Sequence, residues 1–397
     1  MSAASRDYAA AEAAALSEAA AAAMAVLDEA DCARVDPGIV LEAENLLDLY
    51  GEDVRARAFV FDGPDGELCL RPDLTLALCR LHLASGADEA AYAAAGPVFR
   101  RPSPGEGRAA QFMQVGCEKF GGGDPAKDEA AMFDLAHRAA DAAGATGVEA
   151  VTGDLNILFA MIDACPLPER GKARLKRHVW RPNRFHRLLR EAAGGDEGGD
   201  PGRDALLRAL GGLEPDEARA AVERLLTLSE TTHVGRRGQD EVAARMLEQA
   251  ADASADPLPA ELVEAVEAAA SLEASAADAL DRLRDLAHGA GLFIGGALDR
   301  FEARLAALSA LGHDVEALAF DGEFGRNLEY YDGFVFELFD GARAKAAGRR
   351  AAQVAGGGRY DGMLRAAAVA FGRPAPAAPS AVGFALRPEA IVAGGAA

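Results

Sequence analysis

Gln111-Phe112-Met113-Gln114-Val115-Gly116-Cys117-Glu118 opens a run to Phe120 that reads as a β-strand. Side chains alternate across a strand, so Gln114, Gly116 and Glu118 share one face while Val115 and Cys117 share the other. An amide and a carboxylate then flank a glycine, and a glycine lets a small ligand lie against the backbone. Taken alone, the pattern fits a solvated strand face as well as a pocket. Its partner strand is Val98 to Arg101, joined through a Pro/Gly loop from Pro102 to Gly107 that is too long for a two-residue turn.

Further signals lie on either side. Phe59 to Phe61 and Leu68 with Leu70 form a second hairpin around Gly63-Pro64-Asp65-Gly66. A helix begins at Asp73 and carries Leu76, Leu78 and Leu81, and further helices are predicted over Tyr8 to Glu29 and Leu41 to Tyr50. Val148 to Thr152 reads as a short strand, after which Asp154 caps a helix over Leu155 to Asp163. From Pro166 to about Gly291 the pattern is helical, broken by an acidic glycine-rich loop at residues 194–201. Strand signals return at Glu316 to Phe320, Phe334 to Phe339 and Gln353 to Ala355, with a closing segment from Val382 to Val392. The sheet is therefore split around a helical insertion: residues 1–165 and 311–397 form one α+β domain, an antiparallel sheet flanked by helices, and 166–310 are inserted.

Composition narrows the function classes. The 397 residues hold 41 Lys and Arg against 63 Asp and Glu, a net charge of −22. That charge repels phosphate backbones and anionic lipid, which disfavours a broad nucleic-acid surface. No window reads as a membrane span and no secretion signal opens the chain, so the expected compartment is the cytoplasm. Five scattered cysteines lack metal-ligand spacing and read as buried free thiols, and no metal or cofactor is expected. A basic stretch from Arg170 to Arg190 fits either a docking face or a solvated helix face.

Three more segments carry chemical side chains. Arg326-Asn327-Leu328-Glu329-Tyr330-Tyr331-Asp332-Gly333 brings an arginine and two tyrosines to the entry of a hydrophobic strand. Alternation would send the adjacent tyrosines to opposite faces, one into the core and one to a pocket. Gly356-Gly357-Gly358-Arg359-Tyr360-Asp361-Gly362 has neither the Gly-Lys-Ser/Thr ending of a phosphate loop nor the dinucleotide spacing.

Together with Arg71-Pro72-Asp73-Leu74-Thr75, Phe99-Arg100 and Gly383-Phe384-Ala385, these segments resemble in order the catalytic domain of histidyl-tRNA synthetase. The resemblance implies the class II aminoacyl-tRNA synthetase fold, dimerised through its first motif. It implies that Asp73, Leu74 and Thr75 grip the histidine amino group, that Gln114 and Glu118 line the amino-acid pocket, and that Tyr330 and Tyr331 close over the imidazole. It further implies that Arg100 matches the phosphate- and carboxylate-binding arginine of the second motif, and Arg326 the arginine that assists adenylate formation from ATP and histidine in the synthetases.

Where the synthetases read Phe-Arg-x-Glu, this sequence has Phe99-Arg100-Arg101-Pro102, and where they end Gly-x-Glu-Arg it has Arg387-Pro388-Glu389-Ala390. Adenine and ATP contacts are thereby lost, and Pro388 is expected to disturb its helix, with Arg387 an offset substitute. With Glu389 so near Ala397, the anticodon-binding domain that follows in a synthetase is not expected here. These departures are similar to the regulatory subunits of ATP phosphoribosyltransferase. That similarity implies a protein without catalysis, assembled as a homodimer within a hetero-oligomer with the short-form catalytic subunit, and L-histidine as feedback ligand. The alternative is a truncated synthetase-like enzyme that forms histidyl-adenylate.

Overall fold

The computed structural model describes residues 7–43, 49, 51–102, 109–194, 201–228, 239–253, 256–323 and 330–395. Two compact units emerge: Met1–Leu158 with Ala269–Asp285 and Ile294–Ala397, and Phe159–Ala268 with Leu286–Phe293.

The first unit is built on a nine-stranded sheet. Its strands are β1 (Ala33–Arg34), β5 (Ala90–Phe99), β6 (Gln111–Phe120), β7 (Glu149–Asp154), β8 (Glu273–Ser275), β9 (Ala319–Asp321), β10 (Phe334–Phe339), β11 (Gln353–Arg359) and β12 (Ala381–Leu386). They lie in the order β1-β5-β6-β12-β11-β10-β7-β9-β8. Pairing is antiparallel except for β1 with β5 and β7 with β9. A small sheet of β2 (Val40–Glu42), β3 (Val60–Gly63) and β4 (Gly66–Leu70) stands apart in the order β2-β4-β3. Leu41 and Glu42, predicted to open a helix, instead pair as β2 with Cys69 and Leu68; strand pairing overrides the local helical pattern.

The helices that position the site are α1 (Ala10–Glu29), α2 (Thr75–Ser85), α3 (Pro125–Ala142), α4 (Gly295–Ala310), α5 (Asp361–Ala370) and α6 (Pro388–Gly395). By length and composition alone α1, with a mean hydropathy of 1.4, passes as a membrane span, contrary to the sequence reading. Its hydropathy comes from alanine, and it buries Leu16, Ala23, Met24 and Leu27 while packing on α3 and on β5 and β6.

Three further differences have physical causes. β5 begins at Ala90, eight residues before Val98, because alanines of low strand propensity are carried into the sheet by register with β6, Ala90 opposite Phe120 through Phe99 opposite Gln111. Gly356, Gly357 and Gly358 form the middle of β11, not a loop. A Cβ at Gly357 would stand 2.7 Å from the Phe336 ring and from Cβ of Phe384, so these glycines serve close strand packing. Pro388 opens α6 where it was expected to break a helix, since a proline in the first turn loses no helical hydrogen bond.

The segment grouped by composition with the insertion divides. Residues 269–285 and 294–310 join the sheet unit: β8 pairs with β9, and Arg304 of α4 reaches Glu129 of α3 (2.7 Å) and Asp154 (2.6 Å). The second unit is helical, with a core cluster of Leu207, Leu210, Val222, Ala243 and Ala250.

Candidate functional site: a buried polar cluster on the sheet

The face predicted from β6 is buried. Gln114 and Glu118 are buried, at 4% and 2% exposure, and Gly116 between them has Leu74 near it: a Cβ there would lie 3.7 Å from Cδ1 of Leu74. Oε1 of Gln114 accepts from the Leu74 backbone N–H at 3.3 Å, fixing the segment that enters α2. Asp73 is buried at that entry, and its Oδ1 accepts from the Leu76 N–H at 3.5 Å. Thr75 is the first residue of α2 and its side chain hydrogen-bonds to Glu118. One turn on, Cys79 lies on the same helix face and contacts Tyr360.

Tyr330 and Tyr331 lie side by side and are both buried. They precede β10, so strand alternation does not separate them, and their rings are 4.5 Å apart with hydroxyls 3.5 Å apart. This corrects the expectation that they point to opposite faces: alternation holds only inside an extended strand. Burial is the main force pushing both phenols above their ordinary range, so both stay protonated as hydrogen-bond donors.

Tyr360, which follows β11, is the side chain the sequence argument quoted without giving it a part. Its hydroxyl donates to Oε2 of Glu118 at 2.6 Å, and its ring stands 5.9 Å edge-on from Tyr330. Only its place after the glycine run marked it. Burial pushes the Glu118 carboxyl up to about 8; hydrogen bonds from Thr75 and Tyr360 pull the other way, and the nearby charge of Asp73 adds to the rise. At neutral pH Glu118 therefore holds a proton.

The two aromatic motifs are locked to each other. Asp332 accepts from the backbone N–H of Asp361 at 3.0 Å and from that of Gly362, at the start of α5. Arg359 ties the same corner to α3, its Nε 2.5 Å from Oε1 of Glu129 and its Nη1 2.9 Å from Asp361. Glu129 is fully buried and also meets Arg300 and Arg304. Burial alone would raise its carboxyl, but Arg304, Arg359 and Arg300 outweigh that and hold it at about 2.

The fold thus buries Asp73, Leu74, Thr75, Gln114, Glu118, Tyr330 and Tyr331 in one cluster. Arg100 sits just past β5, where its Nε donates to the Pro72 carbonyl at 2.6 Å and its guanidinium lies over Phe112. Arg326 lies outside the described residues. An amide, two carboxyl groups and three phenols suit a small ligand that carries an amino group and a polar ring.

On the ATP side of the resemblance, Arg387 is tied to β11. Its Nη2 donates to the Gln353 carbonyl (2.9 Å) and side chain (3.0 Å). Glu389 is likewise engaged, accepting from the Met113 N–H at 2.6 Å and from the Tyr8 hydroxyl at 3.1 Å.

In the second unit much of the basic stretch is paired within that unit: Lys172 with Glu169, Arg174 with Glu191, Lys176 with Asp163, and Arg190 with Glu267. These pairs mainly solvate and offset local acid.

Comparison with known proteins follows the same lines. The family described as histidyl-tRNA synthetase matches residues 4–256 and 236–391. A protein of Brucella anthropi named ATP phosphoribosyltransferase regulatory subunit is 32% identical over 348 residues, 86% of this chain and 89% of that one. Its namesake in Rhizobium meliloti is 35% identical over 342 residues, 83% and 86%. Among solved structures, an ATP phosphoribosyltransferase regulatory subunit/histidyl-tRNA synthetase from Bacillus halodurans superposes with a TM-score of 0.65 at 18% identity, covering 98% of this chain and 81% of that one. A histidine–tRNA ligase subunit from Alicyclobacillus acidocaldarius gives 0.57 at 22% identity, covering 98% and 95%. At those identities the structures speak for the fold, the class II synthetase architecture.

Proposed function

Because this chain belongs to the ATP phosphoribosyltransferase regulatory-subunit family, which carries the histidyl-tRNA synthetase domain, we propose that it is the non-catalytic partner of a short-form ATP phosphoribosyltransferase catalytic subunit. In this reading it works in the cytoplasm, as a homodimer within a hetero-oligomer. It is required for the first step of histidine biosynthesis and transmits feedback by L-histidine.

The observation that carries the reading is the contrast between two halves of one site. The amino-acid half is closed and interlocked, with Glu118 held by Thr75 and Tyr360 and walled by Tyr330 and Tyr331. The nucleotide half lacks its acceptor at Pro102, and Arg387 hydrogen-bonds to Gln353. A pocket that satisfies several polar groups of histidine rejects analogues without them by up to about 10⁴-fold, and without chemistry it acts as a sensor. In this reading Asp73 and Thr75 take the amino group, Gln114 and Glu118 line the amino-acid pocket, and Tyr330 and Tyr331 cover the imidazole. Feedback requires histidine to favour the inactive assembly, and a coupling of about 1–3 kcal/mol shifts activity roughly 5- to 150-fold.

The test is phosphoribosyl-ATP formation by the catalytic subunit of the same organism, with and without this protein and then with histidine. Stimulation that histidine reverses supports the proposal. Absence of stimulation at every ratio, with both proteins folded, overturns it. The second reading, a truncated enzyme forming histidyl-adenylate, draws on the retained Arg100, held on the Pro72 carbonyl. It requires histidine-dependent exchange of pyrophosphate into ATP, and absence of exchange removes it.

A further inference from the structure

Cys117 lies on β6 between Gly116 and Glu118, on the face turned away from the pocket. Its Sγ is 3.1 Å from Sγ of Cys32, a residue 85 positions earlier in the turn that follows α1. Both side chains are buried thiols. The other three, Cys69, Cys79 and Cys165, have no cysteine partner among the described residues.

We propose that Cys32 and Cys117 form a reversible disulfide on reaction with a small neutral peroxide, making the turn after α1 a redox modification site. This stands independently of the functional reading above.

Two sulfurs at this distance need only a small approach to bond, and the turn can supply it. Asp31, next to Cys32, is the one described non-glycine residue with a positive φ, 57°, at the end of α1. Cys32 is the more exposed residue, at 7% against none for Cys117, so it is the one an oxidant reaches first. Its hydrogen bond with Cys117 lowers the Cys32 thiol, while burial and the charges of Asp28 and Asp31 oppose the drop; Lys119 also lowers it. The same hydrogen bond and burial raise Cys117. The two aspartates repel anionic oxidants such as glutathione disulfide and leave hydrogen peroxide as the suitable class.

The chemistry balances in two steps. The Cys32 thiolate attacks one peroxide oxygen, the O–O bond breaks, and sulfenic acid and hydroxide form; the hydroxide takes up the proton that Cys32 released. The Cys117 sulfur then attacks the sulfenic sulfur, the S–O bond breaks, and the Cys117 proton leaves with that oxygen as water. Two thiols lose two electrons, and one peroxide becomes two waters. The bond would pin the end of α1 to the strand that carries Gln114 and Glu118.

The experiment treats the folded full-length chain with hydrogen peroxide, blocks remaining thiols and maps peptides without reduction. The expected result is one linked peptide pair, Cys32 with Cys117, lost on adding dithiothreitol, while Cys69, Cys79 and Cys165 stay alkylatable after unfolding. Cys32→Ser and, in parallel, Cys32→Ala should fold and give no linked pair. A chain that stays folded in peroxide with both thiols intact overturns the proposal, as does Cys32 carried to sulfinic acid or linked to another cysteine.

Discussion

Tyr360 donates its hydroxyl hydrogen to Oε2 of Glu118 over 2.6 Å, from a position 242 residues further along the chain. The bond joins the end of β11 to β6, across the intervening β12. It couples the shape of the pocket to closure of the whole sheet.

Tyr360→Phe keeps the ring and removes that donor. A buried acceptor left without its bond costs about 1–3 kcal/mol, so we expect a lower urea midpoint and a roughly tenfold loss of histidine affinity by calorimetry. Unchanged affinity would place Tyr360 outside the ligand's reach.

Glu118 carries a pH signature. Its folded pKa of about 8 lies above the ordinary carboxyl value, so the folded state holds a proton that the unfolded state gives up. This contribution to stability is full below about 4.5 and is lost as pH rises through about 8. Unfolding midpoints between pH 5 and 9 should fall with rising pH, and Glu118→Gln should flatten that slope.

Glu129 has the opposite sign. Held at about 2 by Arg304, Arg359 and Arg300 against the cost of burial, it stabilises the fold above its unfolded pKa, and the contribution is lost as pH falls from about 4.5 towards 2. Glu129→Ala leaves buried arginines without their shared counter-ion, and a loss of about 3–5 kcal/mol is expected. A denaturation curve close to that of the parent would show that Asp154 and Asp361 suffice.

Gly383 tests the sheet behind the pocket. It lies opposite Glu118 in the β12–β6 register, and a Cβ there would collide with the Glu118 carboxyl. Gly383→Ala should cost about 1–3 kcal/mol through overpacking and abolish histidine binding by displacing Glu118. Full binding with full stability would mean that the carboxyl has another place to sit.

How much of this was legible beforehand differs by element. The alternation that put Gln114 and Glu118 on one face was visible because a strand has a fixed period. For the same reason the tyrosine pair misled, since Tyr330 and Tyr331 precede β10 and follow no period. Ala90 to Ala95 gave no strand signal, because alanine carries little β preference and only register with β6 places it.

The sequence by itself determined the strand that bears the polar face, the helical stretch between the two halves of the sheet, and the order of motifs on which the family resemblance rests. These depend on local periodicity and on residue identity. The tertiary structure alone decided that Tyr360 reaches Glu118, that Arg387 turns to Gln353, that three arginines converge on Glu129, and that Cys32 meets Cys117. Each is a contact between segments far apart in the chain. Such contacts are set by strand order and packing, which no local pattern encodes.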